Sequence, residues 1–168
     1  MKSLFVITLG LFVMALTSLS HAADNNEVLL IVSGLIAKTN SADKKTFAFT
    51  FDDLQKLGNK NIQATNIYNG KAMYTGPLIR DVLRTAGVKL NAKSVIFVGL
   101  DDYQVRVPIS DLDKWDVIVA HTVNDQRMVI ETKGPLWVMY PLDQDPVNLA
   151  NTNTSAKLVW NLLKIIVK

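Results

Sequence analysis

Gly134-Pro135-Leu136-Trp137-Val138-Met139-Tyr140-Pro141 is the stretch around which the chain is organised. A Gly-Pro pair fixes a turn, and the apolar run behind it, rich in aromatic and β-branched residues and closed by a second proline, predicts a short buried strand. Residues 142–155, LDQDPVNLANTNTS, are too polar to suggest regular structure, and an apolar strand holding Trp160 is expected over Leu158 to Val167. Two aromatic-bearing strands thus flank one long loop, the kind of segment on which binding residues concentrate.

Working outward, Val28 to Val32 predicts a strand buried on both faces, and Lys45 to Phe51 a half-buried one with Phe47, Phe49 and Phe51 on one side. Thr50 and Asp53 have the spacing of a capping box, so Asp52 and Asp53 read as helix cap and dipole residues, not as a catalytic pair. Ile62 to Tyr68 is a further expected strand, turning at Asn69-Gly70. The clearest helix follows Gly76-Pro77, with Leu78, Ile79, Val82, Leu83 and Ala86 on one face and Gly87 at its end. Ser94 to Leu100 and Gln104 to Val107 read as strands joined at Asp101-Asp102-Tyr103, and Ile109 to Leu112 as one helical turn. Val117 to His121 and Arg127 to Ile130 suggest a hairpin about Asn124-Asp125. Strands outnumber helices without regular alternation, which gives an α+β domain, mostly β, with a mixed sheet.

At the other end, Lys2, the apolar Leu4 to Leu16 and Ser20-His21-Ala22 have the layout of a secretory signal peptide. The expected organisation is therefore a signal peptide over 1–22 and one domain over 23–168, in the periplasm and with no membrane span in the mature chain. Residues 23–168 hold seventeen Lys and Arg against fifteen Asp and Glu, a net charge of +2 with no basic cluster, so nucleic acid is not an expected partner.

The chain has no cysteine, which removes thiol catalysis and thiolate metal ligands. His121 is the only histidine after residue 22 and sits in an apolar run, where a hydrogen-bonded core histidine is expected. Dinucleotide, phosphate-loop and nucleophile-elbow motifs are absent. What the sequence does supply is amphipathic aromatics at strand ends, Tyr68, Tyr74, Tyr103, Trp137, Tyr140 and Trp160, near Asp and Asn residues. Such a set suits either a core or a pocket for a flat heteroaromatic ligand.

The succession YTGPLIRDVLRTAGV (74–88), SVIFVGLDDYQVRVPISDL (94–112), GPLWVMYP (134–141) and VWNLLKIIV (159–167) resembles the oxidoreductase molybdopterin-binding domain of the sulfite oxidase family. The resemblance covers nearly all of residues 23–168 and implies the sulfite oxidase fold. It also implies that the molybdenum-ligating Cys of catalytic members would fall near Thr65 and Asn66, where none exists, so molybdenum is not expected. Small exported members without that Cys resemble periplasmic pterin-binding sensor proteins. That likeness implies a non-enzymatic pterin-binding protein, acting as a sensory module on the periplasmic part of an inner-membrane signalling enzyme that makes or degrades cyclic di-GMP. The alternatives are a molybdopterin-dependent oxidoreductase or a subunit of one, and a folded remnant that binds only protein. The pterin-site residues the resemblance implies are Thr65, Asn66, Asp101, Tyr103, Trp137, Tyr140 and Trp160, and Tyr68 of the aromatic set is placed with them.

Overall fold

The structure, a computed structural model, describes residues 27–42 and 44–168. The expected signal peptide lies outside the described residues. Eleven strands and five short helices follow one another: β1 Val28–Gly34, β2 Thr46–Thr50, α1 Phe51–Lys56, β3 Lys60–Asn66, β4 Gly70–Gly76, α2 Ile79–Thr85, β5 Ser94–Gly99, β6 Gln104–Pro108, α3 Ile109–Lys114, β7 Ile118–Ala120, β8 Thr122–Val123, β9 Gln126–Arg127, β10 Trp137–Met139, α4 Pro146–Leu149, α5 Thr152–Ala156 and β11 Leu162–Val167. A 3-10 turn, Ile130–Thr132, precedes the Gly-Pro turn. Among the described residues no helix is long and apolar enough to cross a membrane.

The main sheet has the order β2-β1-β11-β5-β6. It is mixed because β1 and β11 run parallel, Ile31 opposite Lys164 and Val32 opposite Ile165, while the other pairs are antiparallel. Leu30, Val32, Phe49, Val95, Phe97, Val107, Ile165 and Val167 are buried from this sheet. Each such side chain stabilises the fold by roughly 1.5–3 kcal/mol relative to an exposed position. A second sheet, β3-β4-β8-β9, and the pair β10-β7 complete the strand layers. Here the hairpin about Asn124-Asp125 forms, both residues having positive φ, but it joins β8 to β9. β7 pairs with β10, Trp137 opposite Ala120 and Met139 opposite Ile118. The GPLW strand is thus buried among strands as its composition predicts, with Leu136, Trp137, Val138, Met139 and Tyr140 all inaccessible.

Other sequence expectations also need correcting. Phe51 opens α1, because the Thr50 side chain accepts from the Asp53 backbone N–H and the Asp53 side chain accepts from Thr50, so the capping box ends the strand one residue early. Between the turn at Asn69-Gly70 and the helix after Gly76-Pro77, where the sequence reading names no element, Gly70–Gly76 is a full strand pairing with all of β3. Residues 142–155 are not irregular: Asp145 and Asn151 cap α4 and α5 by accepting from the Asn148 and Thr154 N–H groups. The polar residues that argued against regular structure are the caps of two helices too short to show a periodicity. Finally, the last strand starts at Leu162, leaving Trp160 and Asn161 in a sharp bend before it.

Candidate functional site

The β5–β6 connection is built as a tight turn. The Gly99 N–H donates to the Tyr103 carbonyl at 2.9 Å, Asp102 is left-handed with φ 61°, and an Asp101 carboxylate oxygen accepts the Tyr103 N–H at 3.1 Å. This Asx-type bond fixes Asp101 and leaves its carboxylate with further lone pairs for a ligand. Opposite, the β3–β4 turn is shaped by Asn66, whose side-chain oxygen accepts the N–H groups of Tyr68 and Asn69 at 2.9 and 3.0 Å. From that turn Tyr68 leans edge-on against Trp160, ring centroids 4.9 Å apart and planes at 80°.

Between these turns lies a cavity of about 200 Å³ lined by Tyr68, Asp101, Tyr103, Ser155, Ala156, Leu158, Val159 and Trp160. Drug-sized ligands occupy about 300 Å³ or more, so this space suits a ligand no larger than a small fused ring. Its walls are mainly apolar and aromatic, with one carboxylate. The α5 side is held by the Tyr103 hydroxyl, which donates to the Ala156 carbonyl at 2.9 Å.

The structure therefore brings four of the eight sequence-derived residues, Tyr68, Asp101, Tyr103 and Trp160, onto one cavity. The other four stand behind it. Trp137 is fully buried, donates its indole N–H to the Leu158 carbonyl at 3.0 Å, and meets Tyr68 and Tyr74 edge-on at 5.9 and 5.6 Å. It supports the wall rather than forming its surface. Tyr140 is likewise core, and its buried hydroxyl has no hydrogen-bond partner among the described residues. Burial first, and the Asp111 carboxylate second, hold that phenol protonated far above the ordinary tyrosine range. Thr65 gives its backbone N–H and hydroxyl to Asp143 at 2.8 and 3.1 Å, and Asn66 donates to the Tyr74 hydroxyl at 2.8 Å. Both position turns instead of lining the cavity.

Of the lining residues, the sequence reading missed Ser155, Ala156, Leu158 and Val159, and it also missed Lys133, which stands close to two of the lining rings. Its ammonium lies 5.3 Å from the Tyr68 ring centroid, 5.7 Å from that of Trp160 and 6.0 Å from that of Trp137. A lone lysine before a Gly-Pro turn carries no sequence signal. Leu158 and Val159, by contrast, were within reach of an argument from the neighbouring Trp160.

His121 has the core role expected of it. Its ring nitrogens lie 2.7 Å from the Thr122 hydroxyl and 3.0 Å from the Asn59 side-chain oxygen, and its ring meets Phe51 edge-on at 5.1 Å. Burial, then the Arg127 charge, lowers its pKa to about 4. Among the described residues no cluster of three His, Cys, Asp or Glu is placed to hold a metal.

An aromatic cavity at the meeting of strand ends and turns, on a mixed sheet of this order, defines a class. Over residues 53–143, more than half of its length, the chain matches the family described as Oxidoreductase molybdopterin binding domain, and it belongs to that family. The matched region includes Tyr68, Asp101, Tyr103, Lys133, Trp137 and Tyr140, and stops before Trp160. Among solved structures, the sulfane dehydrogenase SoxCD from Paracoccus pantotrophus is similar, with a TM-score of 0.62 at 18% identity over 82% of this chain. At that identity the likeness is one of fold, the sulfite oxidase-like molybdopterin-binding fold. This chain spans 37% of the SoxCD chain. No curated protein matches the sequence.

The residues present can be tested against the molybdenum cofactor that the family implies. Where the resemblance places the ligating Cys, the chain has Thr65 and Asn66, and their side chains are engaged with Asp143 and Tyr74. A protein-bound molybdenum centre of the thiolate type does not fit this donor set. The ring system of a pterin does fit the cavity, where Trp160, Tyr68 and Tyr103 offer aromatic surface and Asp101 an acceptor.

Proposed function

We propose that this protein is a periplasmic, non-enzymatic pterin-binding protein that serves as a sensory module for a membrane-bound enzyme of cyclic di-GMP signalling. The observation that supports this reading is the pairing of the Tyr68–Trp160 aromatic wall with the Asp101 carboxylate on one small cavity, in a chain with no cysteine. A carboxylate accepts both N–H groups on the amino-pyrimidine edge of a pterin while an aromatic side chain packs on its ring. A cavity bordered by three separate connections also suits a sensor, because an occupant that joins them alters the surface offered to a partner.

A reduced pterin is expected to quench indole fluorescence and to raise thermal stability with ligand concentration. Trp160→Ala and Asp101→Asn should each weaken affinity by roughly tenfold or more. Absence of binding by calorimetry at high micromolar pterin contradicts the reading. A pull-down from membranes, with and without pterin, tests the partner: ligand-dependent recovery of an inner-membrane signalling protein supports it, and identical recovery in both conditions opposes it.

Membership of an oxidoreductase family favours one alternative, a molybdopterin-dependent oxidoreductase or a subunit of one. Elemental analysis of protein made in a host that synthesises the cofactor separates the two. One equivalent of molybdenum selects the enzyme, and far less than one opposes it.

A further inference from the structure

The β3-β4-β8-β9 sheet ends at β3, whose outer side meets no strand among the described residues. In β4, Met73 and Thr75 turn their carbonyls away from β3, accepting the Asn124 and His121 N–H groups at 2.8 and 2.9 Å. Their partners across the β3–β4 pair are Gln63 and Asn61, and in an antiparallel pair residues so placed exchange no backbone hydrogen bonds. Gln63 and Asn61 therefore direct their N–H and C=O groups outward. Thr65 keeps the same phase: its N–H leaves the sheet and donates to an Asp143 carboxylate oxygen at 2.8 Å.

Along that edge runs a groove of about 380 Å³, with Lys60, Asn61 and Gln63 of β3 on one side and Asp143 and Gln144, in the turn after β10, on the other. Its ends differ in charge. At the Lys60 end the Asp116 carboxylate is shared by Lys60 and Arg80, each at 2.6 Å, which leaves one positive charge in excess. At the Thr65 end Asp143 meets only neutral donors, the Thr65 N–H and hydroxyl, and forms no ion pair among the described residues. The β2 edge of the main sheet is treated differently. There the Asn40 side-chain amide closes the ladder, donating to the Ala48 carbonyl at 2.9 Å and accepting its N–H at 2.7 Å.

We infer that this groove is a docking site for an extended segment of a partner protein, which adds to β3 as an antiparallel strand. Backbone donors and acceptors two residues apart, at Asn61 and Gln63, are what a strand satisfies and what a ring ligand does not. The antiparallel direction is the slightly more stable one, and it sets the N-terminal side of the segment at Asp143 and the C-terminal side at Lys60. The segment that fits carries a basic residue and, about four positions later, an acidic one, with β-branched residues between them. The inference is independent of the pterin reading, since no residue of this groove lines the aromatic cavity.

NMR titration of the isotope-labelled protein with two synthetic peptides tests it: acetyl-KVTVE-amide and its charge-reversed counterpart, acetyl-EVTVK-amide. KVTVE should move the amide signals of Asn61 and Gln63 and slow their hydrogen exchange by about fivefold or more at saturation. EVTVK should bind about threefold more weakly, a gap that closes with added salt. Gln63→Pro removes an outward N–H that β4 does not use, a change that an edge strand tolerates, and should weaken KVTVE by about fivefold or more. Asp143→Asn, which keeps an acceptor for Thr65, should shrink the gap between the two peptides, and it decides the matter if thermal melts show the proline variant unfolded. Absence of the amide shifts at millimolar peptide overturns the inference, as do equal affinity for the two peptides and KVTVE binding that a folded Gln63→Pro leaves unchanged. Slow exchange of both amides in the peptide-free protein also overturns it: where that protection rises with protein concentration a second copy fills the edge, and where it does not the chain itself does.

Discussion

The Tyr103 hydroxyl donates to the Ala156 carbonyl at 2.9 Å, a bond that ties the β5–β6 turn to the end of α5 across 53 residues of sequence. It uses the polar tip of Tyr103 for structure and leaves the ring to the cavity. Tyr103→Phe should therefore lower stability by about 0.5–1.5 kcal/mol, as for loss of a single neutral hydrogen bond, and speed amide exchange in α5. Urea titration and hydrogen exchange measure the two effects. No change in either would mean that α5 is held by its packing alone.

Trp137 and Trp160 should separate in mutagenesis although the sequence makes them look alike. Trp137→Ala removes a fully buried side chain and strips the Leu158 carbonyl of its donor, at a cost of about 3–5 kcal/mol in denaturant. Trp160 is only half-buried, so Trp160→Ala should cost clearly less and act mainly on ligand affinity. Equal destabilisation by both would return Trp160 to the core.

Gly76 lies where two backbones nearly touch: a Cβ there would stand 1.9 Å from the Val119 carbonyl oxygen, a contact with backbone that no rotamer relieves. Gly76→Ala should cost about 3 kcal/mol or more by equilibrium unfolding. Gly58 makes the control, since its Cβ would meet nothing within 4 Å and only its φ of 82° resists substitution. Gly58→Ala should cost about 1–2 kcal/mol.

His121 predicts a loss of stability in acid. Its folded pKa, about 4, lies below the unfolded value of 6.5, so the unfolded chain takes up the proton first. The stability from keeping this ring neutral is complete above pH 6.5 and falls as pH drops from 6.5 towards 4, by at most about 1.4 kcal/mol per pH unit. Urea midpoints measured across that window should show the slope, and His121→Gln should flatten it. An unchanged slope in the variant would assign the effect to carboxylates instead.

Much of this was legible in the residues. Alternation marked Phe47 and Phe49, 3.6-residue spacing marked Ile79, Val82 and Leu83, and the Asp101-Asp102-Tyr103 turn announced itself by composition. Tyr68, Tyr103 and Trp160 stood out as amphipathic aromatics near strand ends, and only the family resemblance added Asp101 to them. What the sequence concealed has physical causes. Helices of four or five residues, such as α4 and α5, leave no periodicity, and their caps look like loop residues. Whether an aromatic residue faces a cavity or the core depends on packing partners far along the chain, which is why Trp137 and Tyr140 read the same as Trp160. Lys133 was hidden because its place beside the rings comes from Asn161, 28 positions on, whose N–H donates to its carbonyl, and from a left-handed backbone that composition does not announce at a lysine.

The parallel partnership of β1 and β11 has a bearing on how the chain acquires its shape. The centre of the main sheet is occupied by a strand made late, so β1 and β5 wait, without a shared neighbour, until residues 162–167 have been synthesised. Closure over so long a separation carries a large entropic penalty before any contact rewards it, and folding should be slow for a domain of this size. Until then only the sheet's local pairs, β1 with β2 and β5 with β6, can form, as two ribbons with the place between them vacant.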